Sequence, residues 1–451
     1  MTRGFVESVR WLIRGHTGTA AAIQTTIAQV LIVLINVATG VITARTLAPQ
    51  GRGELAAISV VPMMLASLMG FGIPAALTYH LKRHTRDVRS IIGAAIVMNL
   101  GISLLAVLVG ELVIPLALRQ YGPGVVLIAR WFVLWAPMSL FFYVCSSIYE
   151  AHGDFLNSNA SRFVSPLLTF ALLIGLLLTH HLTVLTASLS YAFPSLPTAA
   201  KMLTDVWRRN RPTFARTLEP YRRLMNFGLQ SYGIDVLRSI GMQINQLLVV
   251  GFLSPATMGL YVVALSIASM LQVIQSSISR VLLPKVSARP LPEVIVQVGR
   301  AARISGAVTS LLAAGLVLFG PLLLHLLYGP RFVGGSVLLR LLAAEAVFSS
   351  TTSVLIQTFS AQGRPGIVTL LQAAGLALSV PLLFLLIPRF GLVGAGIALL
   401  VATVARFALA LACYPLLLHV RAPRVIPTRA DFGDLLKRLR YRGPEHSKAP
   451  A

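Results

Sequence analysis

Asp235 and Arg238 lie three residues apart inside a long apolar run, and Gln243, Asn245 and Gln246 follow them. An acid and a base at this spacing share one face of a helix. The pair can neutralise itself and do nothing more. With the amides beyond it, it can also form a hydrophilic stripe along a water-filled cavity. Other ionisable residues interrupt apolar runs at Glu111, Arg130, Arg340, Glu345 and Arg406. A charge surrounded by hydrocarbon is costly, so each needs a cavity or a partner. Arg130 lies near the end of its run, where snorkelling competes with cavity lining. Arg340 and Glu345 can do either but are poorly spaced as mutual partners. Arg406 falls near the middle of its run and calls for a counter-charge or an anionic ligand. Glu111 can pair with a neighbouring helix, and Asn36 and Asn99 read as interhelical hydrogen-bonders.

Arginine outnumbers acid among these residues. The planar guanidinium fork donates two hydrogen bonds at once and suits phosphate. A cavity lined by Arg45, Arg130, Arg238 and Arg406 with Gln243, Asn245 and Gln246 therefore suits an anionic ligand. A bare cation or a hydrophobic drug would call for acids or aromatics. No motif for catalysis is present: the chain lacks HExxH, GxSxG, a Walker loop and any metal-ligand spacing. No catalytic residue, metal or cofactor is expected. Cys145 and Cys413 both fall in apolar runs and read as packing residues, and His180-His181 as a solvated turn.

The elements that position these groups follow from composition. Of 451 residues, 56% are hydrophobic and only 12% charged, with a mean hydropathy of +0.79. A soluble domain carries about 25% charged residues, so this chain is expected to be an all-α, polytopic membrane protein. A span needs about 20 apolar residues. By that rule about 12 transmembrane helices are expected, at roughly 20–43, 56–79, 91–118, 126–150, 163–179, 184–200, 224–252, 260–283, 304–327, 336–361, 366–387 and 391–419. Pro194 and Pro197 interrupt the sixth.

The net charge of +24 suggests nucleic acid at first sight. In a membrane protein it is better read as Lys and Arg gathered in cytoplasmic loops. Of 38 such residues, only Arg45, Arg52, Arg119, Arg331 and Arg389 fall in odd-to-even connections. Arg130, Arg238, Arg340 and Arg406 lie within spans, and the rest share the side that holds both termini. Both termini are therefore expected to be cytoplasmic. The expected organisation is an amphipathic cytoplasmic segment at 1–19, a first six-helix lobe at 20–200, a basic cytoplasmic linker at 201–223, a second lobe at 224–420, and a basic tail at 421–451. The linker is expected to rest on anionic membrane lipids.

The two lobes look related by a parallel repeat. Leu47, Pro49 and Gly53 recur at one offset as Leu253, Pro255 and Gly259. Ala151-His152-Gly153 is echoed by Ala361-Gln362-Gly363. Copies in the same membrane orientation imply an axis along the membrane normal, as in transporters that rock two lobes about a central site. Within the first copy, Arg52 and Glu54 have no equivalents; Met258 and Leu260 stand there instead. They are candidates for a gate or for coupling, as are Asp235 and Glu345, while an Arg52–Glu54 surface pair is equally open. Arg45, just inside the span end, is placed to meet substrate.

These residues also carry a resemblance. ARTLAPQGRGEL at 44–55, Pro62, FGIPAAL at 71–77, QLLVVGFLSPATMGLYVVA at 246–264 and LYGPRF at 327–332 resemble the polysaccharide-biosynthesis flippases, which include O-antigen and exopolysaccharide transporters. These belong to the multidrug/oligosaccharidyl-lipid/polysaccharide (MOP) exporter superfamily. The resemblance covers about residues 18–420. It implies a bacterial cytoplasmic-membrane flippase with no cofactor, working by alternating access. Its cargo would be a polyprenyl-pyrophosphate-linked oligosaccharide moved from the inner to the outer leaflet. Other polysaccharide-assembly membrane proteins would be candidate partners, and nucleic acid would not. Two alternatives stay open. One is a cation-coupled multidrug exporter of the same superfamily. The other is a membrane glycan polymerase or ligase, against which the short outward loops count. Twelve spans also depart from the fourteen expected of the lipid II flippase branch.

Overall fold

The computed structural model describes residues 18–83, 87–214, 217–286 and 289–426. The segment 1–17 and the tail beyond 426 lie outside the described residues, and so do the side chains of Asp235 and Arg238. Every regular element among the described residues is helical. In chain order these are α1 (Gly18–Leu68), α2 (Ile73–Arg83), α3 (Val88–Ala117), α4 (Pro123–Phe132), α5 (Trp135–Ala151), α6 (Phe155–Leu178), α7 (Val184–Ala192) and α8 (Ser195–Asn210). They continue as α9 (Glu219–Phe252), α10 (Pro255–Val286), α11 (Leu291–Tyr328), a 3-10 turn at Pro330–Gly335, α12 (Ser336–Leu355), α13 (Gln357–Ala361) and α14 (Pro365–Leu418). Among the described residues, eight helical stretches are long and apolar enough to cross a membrane.

Two of these stretches are long enough to cross twice. α14 has 54 residues, and at 1.5 Å per residue it would run far beyond a ~30 Å hydrocarbon layer. It breaks at Gly391, where φ is 55°. α1 breaks at Ala48 (φ 56°, ψ −179°), immediately before Pro49. Proline has no N–H to continue the ladder and disfavours helical geometry in the residue before it. The run broken by Pro194 in the sequence is likewise split between α7 and α8.

Where helices stop, the caps are specific. At the end of α5, Gly153 takes φ 76°. Its N–H donates to the Glu150 carbonyl, and the Asp154 N–H donates to that of Tyr149. After α13, Gly363 takes φ 68°, with the matching bonds Gly363 to Ser360 and Arg364 to Phe359. Both are Schellman turns, which need a left-handed residue at this position. The two sequence echoes thus adopt one geometry. Asp154 also caps α6 by accepting from the Asn157 N–H, and it pairs with Arg209 at 2.8 Å. Burial pushes the Asp154 carboxyl upward, but the hydrogen bonds from Asn157 and Arg209 hold it below the usual carboxylate range.

The chain forms two compact units. The first runs up to Ser266 and adds Pro321–Leu338 and Ser379–Ala395. Leu55, Leu173, Leu182 and Ala187 form one buried cluster in it. Its irregular segment after α8 lies against α3: the Thr213 N–H donates to the Arg89 carbonyl at 3.1 Å. A side chain at Gly93 would collide with the Thr213 carbonyl. The second unit comprises Ile267–Gly320, Leu339–Leu378 and the chain from Gly396. Phe359 and Tyr414 are fully buried in its core. The Tyr414 hydroxyl lies 2.8 Å from the Thr358 hydroxyl and donates to the Leu355 carbonyl.

Candidate functional site

The Thr43–Pro62 stretch, in the first unit, positions the first group of candidates. The break at Ala48 turns the chain so that Pro49–Gly53 meets the start of α10. An added β-carbon at Gly53 would fall 1.7 Å from the Pro255 carbonyl oxygen. One at Gly259 would fall 1.9 Å from the Pro49 carbonyl oxygen. The contact is reciprocal: each Gly receives the carbonyl of the other segment's Pro. Only glycine permits backbones to approach so closely.

Arg45, at the edge of this crossing, is exposed, and its Nε donates to the Leu327 carbonyl at 2.8 Å. A terminal amino group donates to the Leu326 carbonyl. The guanidinium thus satisfies carbonyls at the C-terminal end of α11, where the helix dipole is negative. Arg52 is half-buried, and its Nε has no hydrogen-bond partner among the described residues. Glu54 accepts from Gln50 at 3.2 Å. No ion pair joins Arg52 to Glu54 among the described residues.

Gln243, Asn245 and Gln246 are half-buried on α9. Asn245 Oδ1 accepts from the Ser379 hydroxyl at 3.2 Å. Gln120 caps the end of α9, its Nε2 lying 3.1 Å from both the Gly251 and the Phe252 carbonyls. Arg130 does not join this group. Its Nε donates to Glu111 Oε2 at 2.5 Å, so Glu111 has found its partner on the neighbouring helix.

Arg406 and Glu345 sit together in the second unit. Arg406 Nη1 donates to Gln372 Oε1 at 2.9 Å, and Nη2 lies 3.5 Å from the Ser349 hydroxyl. Its Nε is buried with no partner among the described residues. Gly375 leaves room for the arginine stem. The Glu345 carboxylate accepts from Thr403 at 2.9 Å. Sequence reasoning missed Gln372, Ser349 and Thr403. Gln372 is a lone amide in an apolar run, which was the available signal. Ser349 and Thr403 gave none, because hydroxyls in such helices commonly bond their own backbone. Arg340 is exposed and takes no part. An anchored guanidinium with an open donor, beside a half-buried acid, can bind an anion or exchange a proton.

The family model for polysaccharide biosynthesis proteins matches residues 19–288. The chain belongs to the polysaccharide biosynthesis protein family. This family member has the fold of MOP-superfamily transporters. It resembles a lipid II flippase, MurJ, in an inward closed conformation, with TM-score 0.75 and 13% identity over 92% of this chain and 91% of that one. It also resembles an inward-facing multidrug-resistance MATE transporter of the MOP superfamily, with TM-score 0.70 and 16% identity over 87% and 96%. A third similar structure is a MOP superfamily transporter from Pyrococcus furiosus Vc1, with TM-score 0.60 and 16% identity over 89% and 95%. No curated protein sequence matches the chain. The expected all-helical membrane architecture and the polysaccharide-biosynthesis family are thereby shown.

Proposed function

We propose that this protein flips a polyprenyl-pyrophosphate-linked oligosaccharide from the inner to the outer leaflet of a bacterial cytoplasmic membrane. The carrying observation is the match to the polysaccharide biosynthesis family over 19–288, on a fold similar to that of a lipid II flippase. The proposed architecture is twelve passes in two six-helix lobes related by a parallel repeat, with both termini cytoplasmic. The matching Schellman turns at Gly153 and Gly363 support the repeat. So does the reciprocal meeting of Pro49–Gly53 with Pro255–Gly259.

In this reading the sugar head passes through a hydrophilic interior while the polyprenyl tail stays in lipid. Within the second unit, Arg406 with Gln372 is the candidate contact for the anionic head; within the first unit, taken by itself, the candidate is the amide row of α9. Exporting an anion from a negative interior gains about 2.3 kcal/mol per charge per 100 mV, so the membrane potential alone can drive the step. A cation-coupled drug exporter is the second reading. It is supported by the MATE likeness and by the half-buried Glu345, which Thr403 holds in place.

Deletion tests the two. The flippase reading expects lipid-linked precursor to accumulate on the cytoplasmic leaflet and surface polysaccharide to be lost. An unchanged glycan profile with altered drug sensitivity would select the exporter.

A further inference from the structure

The Glu111–Arg130 pair is an ion pair on a hydrocarbon-facing surface. Glu111 lies beside a stripe of exposed leucines on α3, at Leu104, Leu108, Leu112 and Leu116. Arg130 lies between exposed Leu127 and Trp131 on α4. The two helices leave a groove of about 310 Å³ there, lined by Glu111, Leu127, Arg130, Trp131 and Leu134. Along its axis Glu111 stands about 9 Å from the end of α3 at Ala117, and Arg130 about 10 Å from the start of α4 at Pro123. That depth is the outer part of the hydrocarbon, within reach of a headgroup drawn inward. The arginine side chain is 52% exposed and only its Nε bonds the acid. Among the described residues, both guanidinium amino groups therefore remain available, and so does Glu111 Oε1.

We infer that this groove is a lipid site, specific for a phospholipid whose headgroup carries both a phosphate and a primary ammonium. The two free amino groups of Arg130 match phosphate oxygens. The free Glu111 oxygen accepts from the ammonium. The Arg–Glu pair is neutral overall, so it favours a zwitterion over an anion. A choline headgroup has no N–H to give Glu111 and satisfies only half of the site. Leu127 and Leu134 provide an apolar wall for the acyl chain, and Trp131 has the amphipathic ring favoured at this depth. The inference rests on neither the cargo nor the membrane orientation.

The test uses full-length protein in nanodiscs containing equal phosphatidylethanolamine, phosphatidylcholine and phosphatidylglycerol, released into native mass spectrometry. Wild type is expected to retain phosphatidylethanolamine about tenfold over phosphatidylcholine, as expected for one hydrogen bond to a charged group. Glu111→Gln should abolish that preference while still retaining lipid. Arg130→Ala should lose the retained lipid altogether, with Arg130→Lys intermediate. Equal retention of the three lipids by wild type would overturn the inference. So would a Glu111→Gln variant that keeps the preference, or a Leu127→Cys variant that cross-links to a second protein chain in membranes. Glu111→Gln preserves shape, so its lipid ratio can be read even if Arg130→Ala does not fold.

Discussion

Gly259 receives the carbonyl of Pro49 so closely that an added β-carbon would sit 1.9 Å from its oxygen. The same relation holds between Gly53 and Pro255. Gly53→Ala and Gly259→Ala are each expected to destabilise by about 1–3 kcal/mol through forced separation of the backbones. Because they share one contact, their effects should not add. Gly40→Ala, with no atom within 4 Å of the added carbon, is the neutral control. Thermal melting of purified protein together with a flipping assay checks all three.

The Schellman turns allow a separate test of strain. Added carbons at Gly153 and Gly363 meet nothing within 4 Å, so alanine there costs only its positive φ. Each Ala variant is expected to lose about 1 kcal/mol. Asn, which tolerates the left-handed region, should recover part of it. Equal melting temperatures for the Gly, Ala and Asn forms would refute the strain account.

Arg406 is held by Gln372 and Ser349 inside the second unit. Arg406→Ala is expected to reduce transport about tenfold or more, the scale of one hydrogen bond to a charged group. Arg406→Lys should be intermediate and Gln372→Ala milder than Arg406→Ala. Transport at wild-type level in the Ala variant, with normal yield in membranes, would make the network purely structural.

Glu345→Gln separates the two functional readings. A potential-driven flippase should tolerate it, since the amide can still accept from Thr403. A proton-coupled exporter should lose its pH-dependent transport. Precursor flipping and drug efflux, measured against external pH, give the answer.

The Asp154–Arg209 pair predicts a pH effect. The folded carboxyl lies below its ordinary value, so its stabilisation is complete above the unfolded pKa, about 3.9. It is lost as pH falls further, through the folded value. Asp154→Asn should lower the melting temperature at neutral pH and leave a smaller drop on acidification. Parallel acid profiles for the two proteins would contradict the assignment.

What could be read beforehand depended on the residue. Pro194 marked its break because proline acts locally. The membrane class followed from composition. Which face of each helix meets protein was not readable: Leu112 is 73% exposed and Leu77 fully buried, yet in hydrocarbon both are equally at home. For the same reason Arg130 could be placed near a span end but not assigned to Glu111 over a cavity. Arg45 has its carbonyl partners far along the chain, and no local pattern announces a contact at such distance. The copied Leu-Pro-Gly spacing did announce a repeat, but not that the copies would touch each other.

That touching has a consequence for how the crossing can part. Its two halves present the same atoms to one another, as in a two-fold dimer interface sewn into a single polypeptide. Neither glycine can be freed while the other stays engaged without tilting one backbone into the other. Separation should therefore be concerted, releasing both close contacts in a single event rather than unzipping from one edge.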